Sequence, residues 1–252
     1  MITCILFLFG LCWGSFLNML ATRILHYRSL LVHRSYCPTC KHTIAWHDNI
    51  PLLSFILLKA QCRSCKAPIS WLYPATELIT AILATGLYSI TTNPYSYAAY
   101  ALFFSGLIAA TRTDLEAMLI PQTFSLTLIP IGLTAAWFGI IQVSFLEGIL
   151  GALCGYGLLW AIAKIFLLAT KREGMGAGDY DLLAGIGAWV GPLGIWLTLM
   201  IASCTGTILG LAYLYSTKKT RTARIPFGPF LALGAVAYIF FRTLLLSLFI
   251  IP

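Results

Sequence analysis

Residues 1–21, MITCILFLFGLCWGSFLNMLA, form an apolar run that meets no charged side chain until Arg23. About 20 apolar residues are what a helix needs to cross the roughly 30 Å hydrocarbon core of a bilayer. A cleaved secretory signal would carry its positive charge before the apolar stretch and a small-residue cleavage site after it. Here the charge follows. The run is therefore read as a retained span with its N-terminus outside and Arg23 at the inner face.

The same alternation of apolar runs and basic blocks continues to the C-terminus. Of the 252 residues, 60% are apolar and 10% charged, with a mean hydropathy of +0.89. A soluble domain carries about a quarter charged residues. The composition thus excludes an ordinary cytosolic fold, disorder, a secreted disulfide scaffold, and nucleic-acid binding as a main occupation. Further spans are read near 72–90, 96–112, 120–141, 146–168, 179–191, 193–215 and 227–250. The sixth is short, and a short span opening at a Gly-rich turn points to a functional site.

The net charge of +8 is concentrated in blocks: Arg23 to Lys66, Arg112, Lys164 to Arg172, and Lys218 to Arg224. Lys and Arg accumulate in cytoplasmic loops. With eight spans, every one of the 16 basic residues except Arg242 falls on or near the inner side. Merging 179–215 into one span would move Lys218 to Arg224 outside. The reading is an all-α polytopic membrane protein of about eight transmembrane helices. Residues 1–22 are the first helix, 23–71 a cytoplasmic insert and 72–252 a seven-helix membrane core. His26 and His33 read as membrane-proximal surface residues, and the basic blocks as candidates for contact with anionic lipid.

The eight cysteines divide into two groups. Cys4, Cys12, Cys154 and Cys204 stand singly in apolar helices, where a thiol behaves as a small hydrophobe. Cys37-Pro-Thr-Cys40 and Cys62-Arg-Ser-Cys65 are two C-x₂-C knuckles separated by 21 residues. Four thiolates at that spacing close a tetrahedral shell around Zn²⁺, as in a zinc ribbon. A pair of disulfides is the alternative, and a reducing cytoplasm disfavours it. A closed shell leaves no position for substrate, so the metal is read as structural. It would supply much of the folding free energy of a segment too short to build its own core. His42 and His47 lie close enough in sequence to substitute as ligands, but four cysteines already suffice.

Only eight carboxylates are present. One inside a transmembrane segment costs about 2.5–3.5 kcal/mol on insertion scales and so points to function. Asp114 sits at the inner end of the third span. Asp179 opens the sixth, after Gly174-Met-Gly-Ala-Gly178, and Glu77 lies about one turn into the second. The eight-span topology puts Asp114 and Asp179 at the same membrane level although 65 residues separate them. Two neighbouring carboxyls do not both ionise readily; one keeps its proton while the other accepts one from water, as in aspartic proteases. Gly176 and Gly178, lacking Cβ, would permit close approach of a substrate backbone. Glu116 and Asp181 stand two residues beyond their aspartates, about 200° around a helix, and face elsewhere.

The ordered set of motifs resembles the type IV prepilin peptidases, membrane aspartic proteases of the Gly-x-Gly-Asp type. The resemblance runs through Gly14-Ser-Phe-Leu-Asn18, the two cysteine knuckles with Asn49-Ile-Pro51 and Ser54 between them, and Tyr73-Pro-Ala-Thr-Glu77. It continues through Asp114 with Pro121, Gly174-Met-Gly-Ala-Gly-Asp179, and Pro226-Phe-Gly-Pro-Phe230. It implies removal of the basic leader from type IV prepilins and type II secretion pseudopilins at the cytoplasmic face of the bacterial inner membrane. Asp114 and Asp179 would be the catalytic pair, without a covalent intermediate or a catalytic metal. It also implies N-methylation of the new N-terminus with S-adenosylmethionine, although the sequence holds no soluble Gly-rich methyl-donor fold. Glu77 would help to position the substrate amine or its apolar stem, or anchor a helix.

Two positions depart from the family's pattern. Gln122 follows Pro121 where Asp is common, and Asp181 stands two residues after the second aspartate where Lys is common. A competing reading is a zinc-stabilised transporter or assembly scaffold in which the two aspartates relay protons. A cysteine-nucleophile enzyme is a further alternative, but it lacks a clear histidine partner.

Overall fold

The computed structural model describes residues 1–26, 35–217 and 225–249. His33, Arg28, Arg34 and the Lys218 to Arg224 block lie outside these residues. The described chain is all-helical, with only two isolated β-bridges, Tyr36 with Thr43 and Gln61 with Pro68. It forms two units, 1–92 and 93–252.

In the first unit, α1 (Ile2–Leu25) packs against α3 (Leu72–Ile90). Small residues set the approach. A Cβ added at Gly10 would lie 2.6 Å from Ala81 Cα, and one at Gly14 would lie 2.7 Å from Glu77 Cα. Such small-residue seams let apolar helices gain van der Waals contact where lipid offers no hydrophobic drive to associate. Asn18 donates to the Tyr73 carbonyl at 3.0 Å, tying the start of α3 to α1.

The insert joins these helices through a 3₁₀ turn (Trp46–Asn49) and the short α2 (Leu53–Leu57). Its two knuckles have one backbone design, offset by 25 residues. The Cys37 N–H donates to the His42 carbonyl at 2.9 Å, and the Cys62 N–H to the Ala67 carbonyl at 2.8 Å. Lys41 and Lys66, each one residue past its knuckle, share a left-handed backbone at φ 59° and 60°. The shared sequence is only C-x-x-C-Lys, too brief to register as an internal repeat.

The second unit contains α4 (Pro94–Ala117), α5 (Gln122–Ser125), α6 (Leu128–Trp137), α7 (Phe145–Thr170), α8 (Ala177–Thr217) and α9 (Gly228–Phe249). A capping box between Ser144 and Glu147 starts α7. Trp189 is buried, stacks on Phe103 and donates to the Leu128 carbonyl at 2.9 Å. Helices α7 and α8 meet backbone to backbone at Gly151 and Gly187, where a Cβ on either would collide with the other's carbonyl oxygen.

The helix α8 is not continuous. Gly191, at φ 71° and ψ −180°, divides it just before Pro192. Leu183 O and Ile195 Cδ1 both come within 3 Å of the place a Cβ would occupy on Gly155. In a straight helix those residues would stand about 18 Å apart along the axis, so the chain turns back at Gly191. The arm before the break, 177–190, is about 21 Å long at 1.5 Å per residue.

Among the described residues, four helices are long and apolar enough to cross a membrane: α1, α7, α8 and α9. The eight expected spans each coincide with a helical segment when α8 is counted as two arms and α5–α6 as one. The others do not meet that standard alone. α6 has 10 residues, and α4 ends with Arg112, Asp114 and Glu116. Cys4, Cys12, Cys154 and Cys204 are exposed on helix surfaces, as lipid-facing thiols would be.

Candidate active site

Asp114 lies one turn before the end of α4. Met118, in the left-handed conformation, stops that helix and donates its N–H to the Asp114 carbonyl at 2.8 Å. The Asp114 side chain is buried, and its Oδ2 accepts the Gly228 N–H at 2.9 Å. Gly228 begins α9, so the carboxylate receives one of the amides that a helix start leaves without an internal partner.

Asp179 is the third residue of α8 and is half-buried. Its N–H donates to the Gly176 carbonyl at 3.2 Å. Tyr180 donates its hydroxyl to the Met175 carbonyl at 3.1 Å, holding the same Gly-rich turn. The segments that carry Asp114 and Asp179, the end of α4 and the start of α8, come together around Ile120. Ile120 packs beneath them. A Cβ on Gly178 would lie 2.9 Å from Ile120 Cβ, and one on Gly228 would lie 3.0 Å from Ile120 Cδ1. Gly178 thus serves close packing against Ile120, whereas a Cβ on Gly176 would meet only Asp179 Oδ2, at 3.8 Å, in ordinary contact.

The flanking acids face elsewhere. Glu116 pairs with the buried Arg112 one turn back on α4. Asp181 is buried, and its Oδ2 accepts the Gln122 side-chain amide at 3.3 Å. The two departures from the family's pattern are therefore the two ends of one hydrogen bond. Nothing in the sequence joins them, because 59 residues part them. Gly228 is legible there only as a member of a motif, with no tie to Asp114.

Glu77 belongs to the first unit. Its Oε2 accepts the Leu52 N–H at 2.9 Å. Ser54 Oγ accepts the Ile50 N–H at 2.9 Å and donates to the His47 carbonyl at 3.0 Å. Glu77 thus ties α3 to the loop that holds the Asn49-Ile-Pro51 motif.

The four knuckle sulfurs, of Cys37, Cys40, Cys62 and Cys65, all lie within 4.8 Å of one another, with Cys37 and Cys65 3.8 Å apart. A tetrahedron with Zn–S bonds of about 2.3 Å has S–S edges of about 3.8 Å, so the donor set fits zinc. The Cys40 backbone N–H, directed at the Cys37 sulfur, pulls that thiol down to about 6. At Cys65 the Ala67 N–H pulls the same way, but burial and the neighbouring sulfurs push the thiol up to about 11. Thiolate is the form a metal binds. Nearby, Arg63 grips Asp48 through two bonds of 2.7 and 2.6 Å, and that guanidinium holds the carboxyl below its ordinary range.

A methyl-donor site is not equally legible. A cavity of about 290 Å³ lined by Gln142, Arg242, Thr243, Leu246 and Ser247 offers no carboxylate for a ribose or an ammonium group. Those residues do not fit S-adenosylmethionine.

Comparison with known proteins identifies the pattern. Residues 8–91 match the bacterial peptidase A24 N-terminal domain, and residues 101–211 match the type IV leader peptidase family. The prepilin leader peptidase/N-methyltransferase of Aeromonas hydrophila is 37% identical over 254 residues, covering 91% of this chain and 87% of its own length. The type 4 prepilin-like proteins leader peptide-processing enzyme of Escherichia coli O78:H11 is 39% identical over 217 residues, 86% of this chain and 78% of its own. The prepilin leader peptidase/N-methyltransferase of Pseudomonas aeruginosa is 38% identical over 206 residues, 82% and 71% respectively. No solved structure matches the chain.

Proposed function

This chain belongs to the type IV leader peptidase family, and on that premise we propose that it is an aspartic endopeptidase of the bacterial inner membrane. It removes the basic leader from type IV prepilins or pseudopilins on the cytoplasmic face. The observation that carries this reading is that Ile120 packs against both Gly178, next to Asp179, and Gly228, whose amide Asp114 accepts, which draws the two aspartate-bearing helix ends to one place. The Gly228 amide fixes Oδ2 of Asp114 and leaves Oδ1 for water.

Water between the carboxyls attacks the scissile carbonyl carbon. One carboxylate takes the water proton as the new C–O bond forms, while the other carboxyl gives its proton to the carbonyl oxygen. Collapse of the tetrahedral intermediate breaks the C–N bond and delivers a proton to the leaving amine nitrogen. In an eight-crossing topology with the N-terminus outside, this chemistry takes place at the inner surface. A substrate can then keep its apolar stem in lipid and its leader in the cytoplasm.

The 23–71 insert serves as a zinc-stapled cytoplasmic subdomain. Cys37, Cys40, Cys62 and Cys65 would hold the metal in a structural site. Methylation of the new N-terminus, with S-adenosylmethionine supplying the methyl group, is the second activity, carried over from the relatives' names.

The test is mass spectrometry of a co-expressed prepilin with the unaltered enzyme, Asp114→Asn and Asp179→Asn. Leader loss is expected with the unaltered enzyme alone, with an added 14 Da where methylation follows (about the mass of one CH₂). Cleavage that persists in both variants would return the aspartates to the proton-relay reading.

A further inference from the structure

Asp114 and Asp179 are carried by two segments that meet only after folding. The first leaves α4 through the left-handed Met118, runs through Ile120 and Pro121, and enters the four-residue α5 at Gln122. The second is the Gly-rich turn and first helical turn of α8. Ile120 against Gly178 brings the segments together, but an apolar contact between a branched side chain and a glycine has no preferred rotation. Asp181 sits about 200° around the helix from Asp179. Further along the same arm, Trp189 bonded to the Leu128 carbonyl and Gly185 packed on Ser125 fix how α8 lies, and a lateral hold on Asp181 adds the constraint nearest to Asp179, at the first turn. The Gln122 amide supplies that hold at 3.3 Å, on a carboxylate that is only 7% exposed.

We propose that the hydrogen bond from Gln122 to Asp181 is a positioning clamp that sets the separation and orientation of the two aspartates. This rests on the reading of Asp114 and Asp179 as the reacting pair. In this role the two clamp residues act through Asp114 and Asp179. Gln122 suits the task because its amide donates without adding charge beside the aspartates. A carboxylate in its place would face Asp181 with like charge and force the segments apart.

The clamp is tested on the full-length protein in lipid with a prepilin substrate, measuring kcat, KM and the pH dependence of kcat. Gln122→Asp and Asp181→Lys are each expected to lower kcat on the order of tenfold or more, as sub-ångström misplacement of reacting groups does. KM should stay within about twofold, because the change lies in orientation and not in substrate binding. The Gln122→Asp profile should also be displaced in pH. The double variant, Gln122→Asp with Asp181→Lys, replaces the bond with an ion pair and is expected to recover most of the lost kcat.

Gln122→Met keeps the chain length without a donor and takes the place of a charged variant that fails to accumulate; the same loss of kcat is expected. Unchanged kcat in the single variants overturns the clamp, as does a double variant no faster than the product of the two defects. Asp114→Asn and Asp179→Asn run alongside separate the two ideas. Their cleaving substrate sinks the underlying reading, whereas their inactivity beside a fully active Gln122→Asp sinks only the clamp.

Discussion

Asp114 on α4 and Gly228 at the start of α9 are joined by a 2.9 Å hydrogen bond across 114 residues of chain, and a side chain on the glycine would crowd that carboxylate. A Cβ there would lie 2.8 Å from the Asp114 carboxylate that it is meant to hold. A side chain at the position that orients Asp114 would thus push the carboxylate aside.

Gly228→Ala is expected to displace the carboxylate and lower kcat on the order of tenfold to a hundredfold. Membrane insertion and zinc content should be retained, because the change lies far along the chain from the cysteine cluster. Cleavage rates of purified protein, alongside metal analysis, check this. Wild-type kcat in the variant would mean that the Gly228 contact does not orient Asp114.

The four knuckle cysteines should hold one zinc per chain. Changing Cys62 to Ser should lower zinc content and expose the insert to protease before any effect on the aspartate pair. Cys154→Ser should leave the metal unchanged, since that thiol lies exposed on α7. Metal analysis of the purified variants separates these outcomes. Full zinc content in Cys62→Ser would refute the four-thiolate site.

The Asp48–Arg63 pair carries a pH signature. Arg63 holds the Asp48 carboxyl below its ordinary range, so the folded-state pKa is below the unfolded one. The pair's stabilisation is therefore present above about pH 4, the unfolded value, and is lost as pH falls through the folded value. Carboxyl carbon NMR should report an Asp48 midpoint below that of an unpaired aspartate. Arg63→Gln should move the midpoint back up.

Glu77 holds the N–H of Leu52, a non-glycine residue at φ 59°. Such a backbone costs on the order of 1–3 kcal/mol and persists only where its surroundings over-determine it. Glu77→Ala should release the loop and increase proteolytic cutting around residues 50–58, by about 1–3 kcal/mol of local stability for the abandoned amide. Glu77→Gln keeps an acceptor oxygen and should protect the loop nearly as well as Glu. Equal cutting in Ala and Gln variants would show that the hydrogen bond is not what holds Leu52.

Much of this is legible in the one-dimensional pattern. Hydropathy marks where helices run, because lipid tolerates no unpaired backbone and leaves a helix as the solution for each apolar run. The Gly191–Pro192 dipeptide marks a break inside α8, since only glycine takes a positive φ at no steric cost and proline cannot continue a hydrogen-bond ladder. The cysteine spacing marks the four sulfurs that the fold gathers, because a C-x₂-C turn brings two sulfurs to one centre. The scarcity of charge singles out Asp114 and Asp179, because burying a carboxylate without cause is costly.

What the sequence could not specify is which distant groups complete each site. That Gly228 serves Asp114, that Gln122 reaches Asp181, and that Glu77 holds Leu52 are long-range pairings over 114, 59 and 25 residues. Each is a directional hydrogen bond of a few ångströms, and its partner is chosen by how the helices dock. Hydropathy says only that a residue is buried; the docking of α4, α5, α8 and α9 decides what it meets there.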